Sequence, residues 1–203
     1  MKIAVAGASG RAGSRITAEL ARRGHTVTAI ARNPDKIERV AGVTAVKGDV
    51  LDQAGLARLW SGHDVAVSSV HFTASDHDKL IGAARDSKIG RYLVVGGAGS
   101  LEVAPGVRLV TTPTFPAQYK AEAEKGAAFL DLLRLQKDLN WTFLSPSALF
   151  IEGERTGKFR LGTDRLLAGS DGKSWISFED FAVALADEIE RPAHPKARFT
   201  VGY

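Results

Sequence analysis

A chain of 203 residues with 44% hydrophobic and 25% charged side chains has the make-up of one soluble globular domain. At this length roughly 70% of the unfolded chain's surface is buried on folding, so the core needs no covalent staple. Cysteine is absent, which excludes disulfides, thiolate metal clusters and thiol nucleophiles and suits a reducing, cytoplasmic setting. The 27 basic and 23 acidic residues give a formal charge of +4, but they are interspersed, with no basic block of about five or more. A solvated mixed surface is therefore expected rather than a nucleic-acid face.

The chain opens with the apolar run Ile3 to Ala6, which stops at Gly7. It is too short for a signal-peptide core or a membrane span, so neither secretion nor insertion is expected. Further strands are predicted at Thr26 to Ala31, Ala45 to Lys47, Val65 to Val70, Tyr92 to Val95 and Trp141 to Ser145, with helices filling the gaps. The clearest helix runs from Ala117 to Lys137, where Phe129, Leu132, Leu133 and Gln136 fall at helical spacing and Leu130 widens the apolar stripe. Several strands are apolar almost throughout instead of alternating, so both of their faces should be covered by helices. This pattern predicts an α/β fold with a doubly wound, mostly parallel sheet. After Ser145 glycines punctuate short segments before a helix at Phe178 to Ile189 and a strand at Arg198 to Val201. No repeat or linker divides the chain, so residues 1–203 are read as one domain in which about 148–203 contribute a small substrate-side lobe.

Gly7-Ala8-Ser9-Gly10-Arg11-Ala12-Gly13 lies between the first strand and the helix Arg11 to Arg22. Gly7 allows the tight turn, Gly10 lets the backbone approach a pyrophosphate, and Gly13 lets the helix pack on the sheet. Free amides at the helix start, from Ser9 to Gly13, would then face the anion. With a strand before, a helix after and a second strand ending about 20 residues on, this spacing points to a Rossmann-like dinucleotide site. At the end of that second strand Arg32 stands where an acidic residue would hold an NAD ribose diol. A guanidinium there suits a 2′-phosphate, so NADP(H) is expected over NAD(H). Asp49 and Val50 follow the third strand, placed for adenine contact, although Asp49 is nearly as readable as a helix cap. Ser69, Val70 and His71 end the fourth strand at the carboxyl edge where the ligand crevice lies.

Dehydrogenases acting on plain carbonyls commonly use a tyrosine with a lysine four residues later. Here Tyr119 is followed at that distance by Ala123, and Tyr92 by Gly96. Without that proton donor, an acceptor that takes hydride and is protonated readily from solvent is favoured, and flavins and quinones fit. His71 and Tyr119 are the candidate catalytic residues, and Tyr119, Phe115 and Phe150 are candidates for an apolar acceptor wall. His71, Asp76, His77 and Asp78 lack metal-ligand spacing, so no metal is expected.

The chain resembles, over nearly its whole length, the atypical short-chain dehydrogenase/reductases that include flavin reductase/biliverdin-IXβ reductase and bacterial NADH-flavin-reductase-like proteins. The likeness rests on the glycine turn, Arg32, Gly48-Asp49-Val50, the run Val94 to Ser100, Trp141 to Ser147, Gly153 to Gly157, and Ile176 to Asp180. It implies an NADP site along the carboxyl edge of the sheet, with Gly96 and Gly97 on that edge and Ser145, Pro146 and Ser147 beside the nicotinamide amide. It also implies a shallow site for a small-molecule acceptor, with FMN or another flavin as substrate. Where biliverdin-IXβ reductase has a threonine-serine pair after the fifth strand, this chain reads Gly97-Ala98, which argues against tetrapyrrole reduction. The expected activity is an NADPH-preferring reductase, with neither membrane nor nucleic-acid partners, acting as a monomer or small homo-oligomer. A non-catalytic NADP-binding redox sensor is the alternative, and a nucleotide-sugar epimerase or dehydratase ranks third.

Overall fold

Strands buried on two faces need two helical layers, and the computed structural model, which describes residues 1–203, supplies them. In chain order the elements are β1 (Lys2–Ala6), α1 (Arg11–Arg22), β2 (Thr26–Ala31), β3 (Val43–Lys47), α2 (Gln53–Trp60), β4 (Val65–Ser68), α3 (His77–Asp86) and β5 (Arg91–Val95). There follow β6 (Glu102–Ala104), β7 (Val107–Arg108), α4 (Ala117–Arg134), β8 (Trp141–Pro146), β9 (Leu149–Ile151), β10 (Arg160–Gly162), β11 (Trp175–Ser177), α5 (Phe178–Glu190) and β12 (Ala197–Gly202). The central sheet has the order β10-β12-β8-β5-β4-β1-β2-β3 and is parallel except for the edge strand β10. From β1 the chain winds one way through β2 and β3, then the other way through β4, β5 and β8. The switch point between β1 and β4 is where a crevice opens at the carboxyl ends of such a sheet.

The side-chain period of two distributes each strand between two cores. Ile3, Val5, Val27, Ala29, Val65, Val67 and Leu93 pack under Ile16 and Leu20 of α1 and Phe181 and Leu185 of α5. On the opposite face Ala4, Ala66, Tyr92, Val94 and Phe143 pack under Trp60 of α2, Leu80 of α3, and Phe129, Leu130 and Leu133 of α4. The doubly wound parallel sheet expected from the apolar strands is thus the observed one, and it is Rossmann-like in its order.

Three local expectations change. The β2 to β3 connection holds only a short 3-10 turn, Pro34–Lys36, whose first amide is capped by the Asn33 side chain. Ile37 is the one buried side chain in that stretch, too little apolar surface to hold a helix on the sheet. Helix α4 stops at Arg134 rather than Lys137; the Gln136 amide folds back to donate to the Leu132 carbonyl, and Leu135 is 73% exposed. The tail from residue 148 divides: α5 joins α1 in the helical layer and β12 pairs with β8 inside the sheet, because Phe181, Leu185, Phe199 and Val201 all reach the main core.

An extended strap, residues 152–159, ties that tail to α1 by polar contacts. Glu19 of α1 is only 5% exposed and receives Arg22 and Arg23 at 2.7 Å and Arg155 of the strap at 2.9 Å. Burial pushes the Glu19 carboxyl up, but the three guanidinium groups outweigh it and hold it at about 2. Asp180, fully buried at the start of α5, accepts from Gly157 N at 2.8 Å and Tyr203 OH at 2.7 Å.

Candidate functional site

The glycine turn is built by close backbone contact. Gly7 has φ +80°, a left-handed value, and a Cβ there would lie 2.0 Å from the Ser69 carbonyl oxygen and 2.9 Å from Val70 Cγ1. Gly13 has no such backbone need; its Cβ would lie 2.1 Å from the Gly7 carbonyl oxygen, so its bare Cα sets how near α1 comes to β1. The amides of Gly7 and Ala8 both donate to the Ile30 carbonyl, tying the turn to β2. Gly10 is the N-cap of α1 without a side-chain cap, and no acidic residue occupies the first turn. The amides of Arg11, Ala12 and Gly13 are left without intramolecular acceptors, as expected for a helix start. Bare backbone, unpaired amides and the positive end of the helix dipole fit a diphosphate. Ser9, Gly10 and Arg11 are exposed on this cradle.

On the β2 side Arg32 is exposed, and no carboxylate pairs with it. Between the end of β3 and α2 a shallow cavity of about 270 Å³ is lined by Lys47, Asp49, Arg58 and Leu59 among others. Asp49 does not cap α2. Its Oδ1 accepts from Leu51 N at 2.9 Å, and Asp52 is the cap, accepting from Gly55 N at 3.0 Å. Val50 is half-buried against the α2 and α3 face of the sheet.

Beyond β4 the chain turns over the crevice, with Ser69 and Val70 against Gly7 and His71 pointing outward, its side chain 85% exposed. The loop is anchored from α4: Glu122 accepts from Phe72 N at 2.7 Å and from Thr73 N at 2.9 Å, and its Oε1 lies 3.3 Å from His71 Nδ1. Burial raises the Glu122 carboxyl, but the hydrogen bonds from Thr73 and Phe72 and the neighbouring His71 prevail and hold it below its ordinary range. One turn earlier on α4, Tyr119 is 60% exposed. Ala123, where a dyad lysine would stand, faces Gly99; a Cβ on Gly99 would sit 2.8 Å from the Ala123 Cβ. Nothing in the local sequence singles out Glu122, because its partners lie about 50 residues away.

The far end of the crevice is drier than expected. Gly96 is buried, with room for no Cβ against Phe143 Cε1 at 2.2 Å, and Gly97 lies beside Phe72. Ser145 and Pro146 end β8 and Ser147 follows it, but the polar groups of the two serines turn into β12. The Ser145 carbonyl accepts from Thr200 Oγ1 at 2.9 Å, and Ser147 donates its amide and its hydroxyl to the Val201 carbonyl. Arg198, also on β12, has a side chain only 2% exposed and reaches Asp164 Oδ1 from Nε at 3.0 Å and the hydroxyls of Ser100 and Ser145 at 3.4 and 3.5 Å. Phe150 is half-buried and packs against the core, on Phe178 and Phe181, with ring centroids 4.5 and 4.6 Å apart. His77 stacks on Phe129 at 4.4 Å, and Asp76 caps α3. No helix is long and apolar enough to cross a membrane.

The family model described as NAD(P)H-binding matches residues 7–192. Solved structures similar over the whole chain include a Burkholderia pseudomallei protein provisionally described as exported, at 44% identity, full coverage of both chains and TM-score 0.91. A Bacteroides thetaiotaomicron protein provisionally described as an epimerase is 36% identical, with 100% of this chain and 96% of that one covered and TM-score 0.95. A Streptococcus pneumoniae protein provisionally described as an NADH-flavin reductase is 37% identical, with 100% and 99% covered and TM-score 0.85. The phosphate cradle at the switch point and the match over nearly the full length lead to one assignment: the chain belongs to the NAD(P)H-binding family, in keeping with its resemblance to atypical short-chain dehydrogenase/reductases.

Proposed function

We propose that this chain is an NADPH-preferring oxidoreductase that passes hydride to a flavin or quinone-like small molecule. The observation that carries this reading is the glycine turn with unpaired amides at the start of α1, packed against the Ser69–Val70 end of a loop that α4 anchors through Glu122, together with Ala123 standing where the dyad lysine would be. The bound nicotinamide supplies the hydride. The amides at the start of α1 hold the diphosphate, Arg32 pairs with the 2′-phosphate, and Asp49 and Val50 border the adenine. Ser69, Val70, Gly96 and Gly97 border the nicotinamide half, and the backbone at Ser145 to Ser147 closes its far side. The catalytic contribution is then mostly positioning of a flat acceptor at near-attack distance.

The similarity to a provisional NADH-flavin reductase supports this choice of acceptor. The similarity to a provisional epimerase is weighed against it, and the missing lysine disfavours the epimerase reading. The same missing lysine supports a second reading, a nucleotide sensor, which would separate NADP⁺ from NADPH by affinity and show no acceptor-dependent rate. A cytoplasmic monomer or small homo-oligomer completes the proposal. Its test is the decay of the reduced-nicotinamide absorbance with FMN, riboflavin and a quinone panel beside ketones and secondary alcohols. Turnover with a flavin or quinone is expected, and a clear preference for a ketone or alcohol would overturn it.

A further inference from the structure

Cofactor binding leaves one titratable pair at the crevice without a task. His71 sits at the mouth, with Nδ1 3.3 Å from Glu122 Oε1. Glu122 cannot swing away, because Phe72 N, Thr73 N and Thr73 Oγ1 donate to it at 2.7, 2.9 and 2.6 Å. The two ring nitrogens of an imidazole point in different directions, so a carboxylate fixed against Nδ1 turns Nε2 outward. No protein group bonds Nε2, and the ring is 85% exposed. A carboxylate that orients an imidazole and stabilises its protonated form is a general arrangement for proton transfer. Glu122 lies three residues after Tyr119 on α4, so the pair borders the helix face from which the dyad lysine is missing.

We infer that His71 donates the proton that completes acceptor reduction, that Glu122 is its positioning residue, and that the acceptor is quinone-like rather than a flavin. This rests on the hydride-transfer reading above. A reduced nicotinamide held in the cradle would supply a hydride, C4–H bond and electron pair together, that would reduce the quinone by two electrons and leave a hydroquinone monoanion. The Nε2–H bond of the His71 imidazolium then breaks, its proton moves to that oxyanion, and neutral His71 regains a proton from water. A hydroquinone monoanion is a phenolate, protonated at neutral pH, so although solvent can supply the proton, a donor held beside it speeds this step. A reduced flavin persists as an anion near neutral pH and gains little.

The test compares His71→Ala, Glu122→Gln and the unaltered protein with NADPH against a water-soluble benzoquinone and against FMN, each with and without added imidazole. Because His71 is solvent-exposed, the alanine variant is expected to fold, and Glu122→Gln keeps an oxygen for the loop amides. His71→Ala should lower the quinone-to-FMN ratio of kcat at least about tenfold. Free imidazole should restore the quinone rate of that variant selectively, and Glu122→Gln should lower kcat for quinone more than it raises KM. Equal loss with both acceptors and no rescue would overturn the inference, as would turnover of FMN with none of quinone. Failure of the unaltered protein to turn over either acceptor, while still binding NADPH, would instead remove the hydride-transfer reading on which it rests.

Discussion

A single methyl group at Gly13 tests the phosphate cradle. The Cβ of Gly13→Ala would lie 2.1 Å from the Gly7 carbonyl oxygen and 2.9 Å from the Gly7 carbonyl carbon, so α1 must withdraw from β1 by about 1 Å to reach ordinary contact. Overpacking of this kind costs about 1–3 kcal/mol. In a domain of this size that lowers Tm by roughly 3–10 °C. The sharper effect is on binding, because the unpaired amides move with the helix. NADPH at about 100 times its Kd stabilises the unaltered protein by about 2.7 kcal/mol; a tenfold loss of affinity leaves about 1.4 kcal/mol. Gly24→Ala is the control. Gly24 follows α1 with φ +81° and nothing within 4 Å, so alanine there introduces backbone strain of about 1 kcal/mol and no clash near the cradle. Thermal unfolding with and without NADPH should show a ligand-induced rise kept by Gly24→Ala and about halved in Gly13→Ala. A full rise in Gly13→Ala would refute the argument that this glycine sets the cradle.

Arg32→Asp should weaken NADPH at least about tenfold while changing NADH much less, because it removes the phosphate partner and adds a repelling charge; equal losses by titration would reject that role for Arg32. The Glu19 clamp should be visible in acid. Its carboxyl is held at about 2 against an ordinary value of about 4.3, equivalent to about 3 kcal/mol. Since the folded value is the lower one, this stabilisation is complete above the ordinary value and is lost as pH falls towards 2. Urea unfolding should therefore show the stability gap between the unaltered protein and Glu19→Gln narrowing from pH 5 downwards, and a constant gap would contradict the clamp.

How far the molecule could be read from its sequence depended on the range of the interactions involved. The β1 strand, the glycine turn and α1 are local: apolar run, bare Cα positions and helix start lie within 22 residues, and Gly7 and Gly13 have the steric reasons expected of them. Arg32 is locatable because it directly follows the carboxyl end of β2. Other features depend on partners remote in the chain. Glu122 looks like an ordinary helix-surface residue until Phe72 and Thr73 meet it. Ser145 and Ser147 look free until β12 arrives with Thr200, Arg198 and Val201 to engage them. Phe150 reads as a core residue ahead of an acceptor wall, and its partners Phe178 and Phe181 lie about 30 residues on. The absent helix between β2 and β3 follows from burial, which leaves Ile37 alone as an anchor.

Isothermal titration of the purified protein with NADPH, and separately with NADH, bears most directly on the cradle of amides at the start of α1. Saturable heat at one site per chain is expected, with NADPH the tighter ligand by at least about tenfold, the contribution of one charge-assisted phosphate contact. Absence of heat with either nucleotide, oxidised or reduced, would contradict the account at its root.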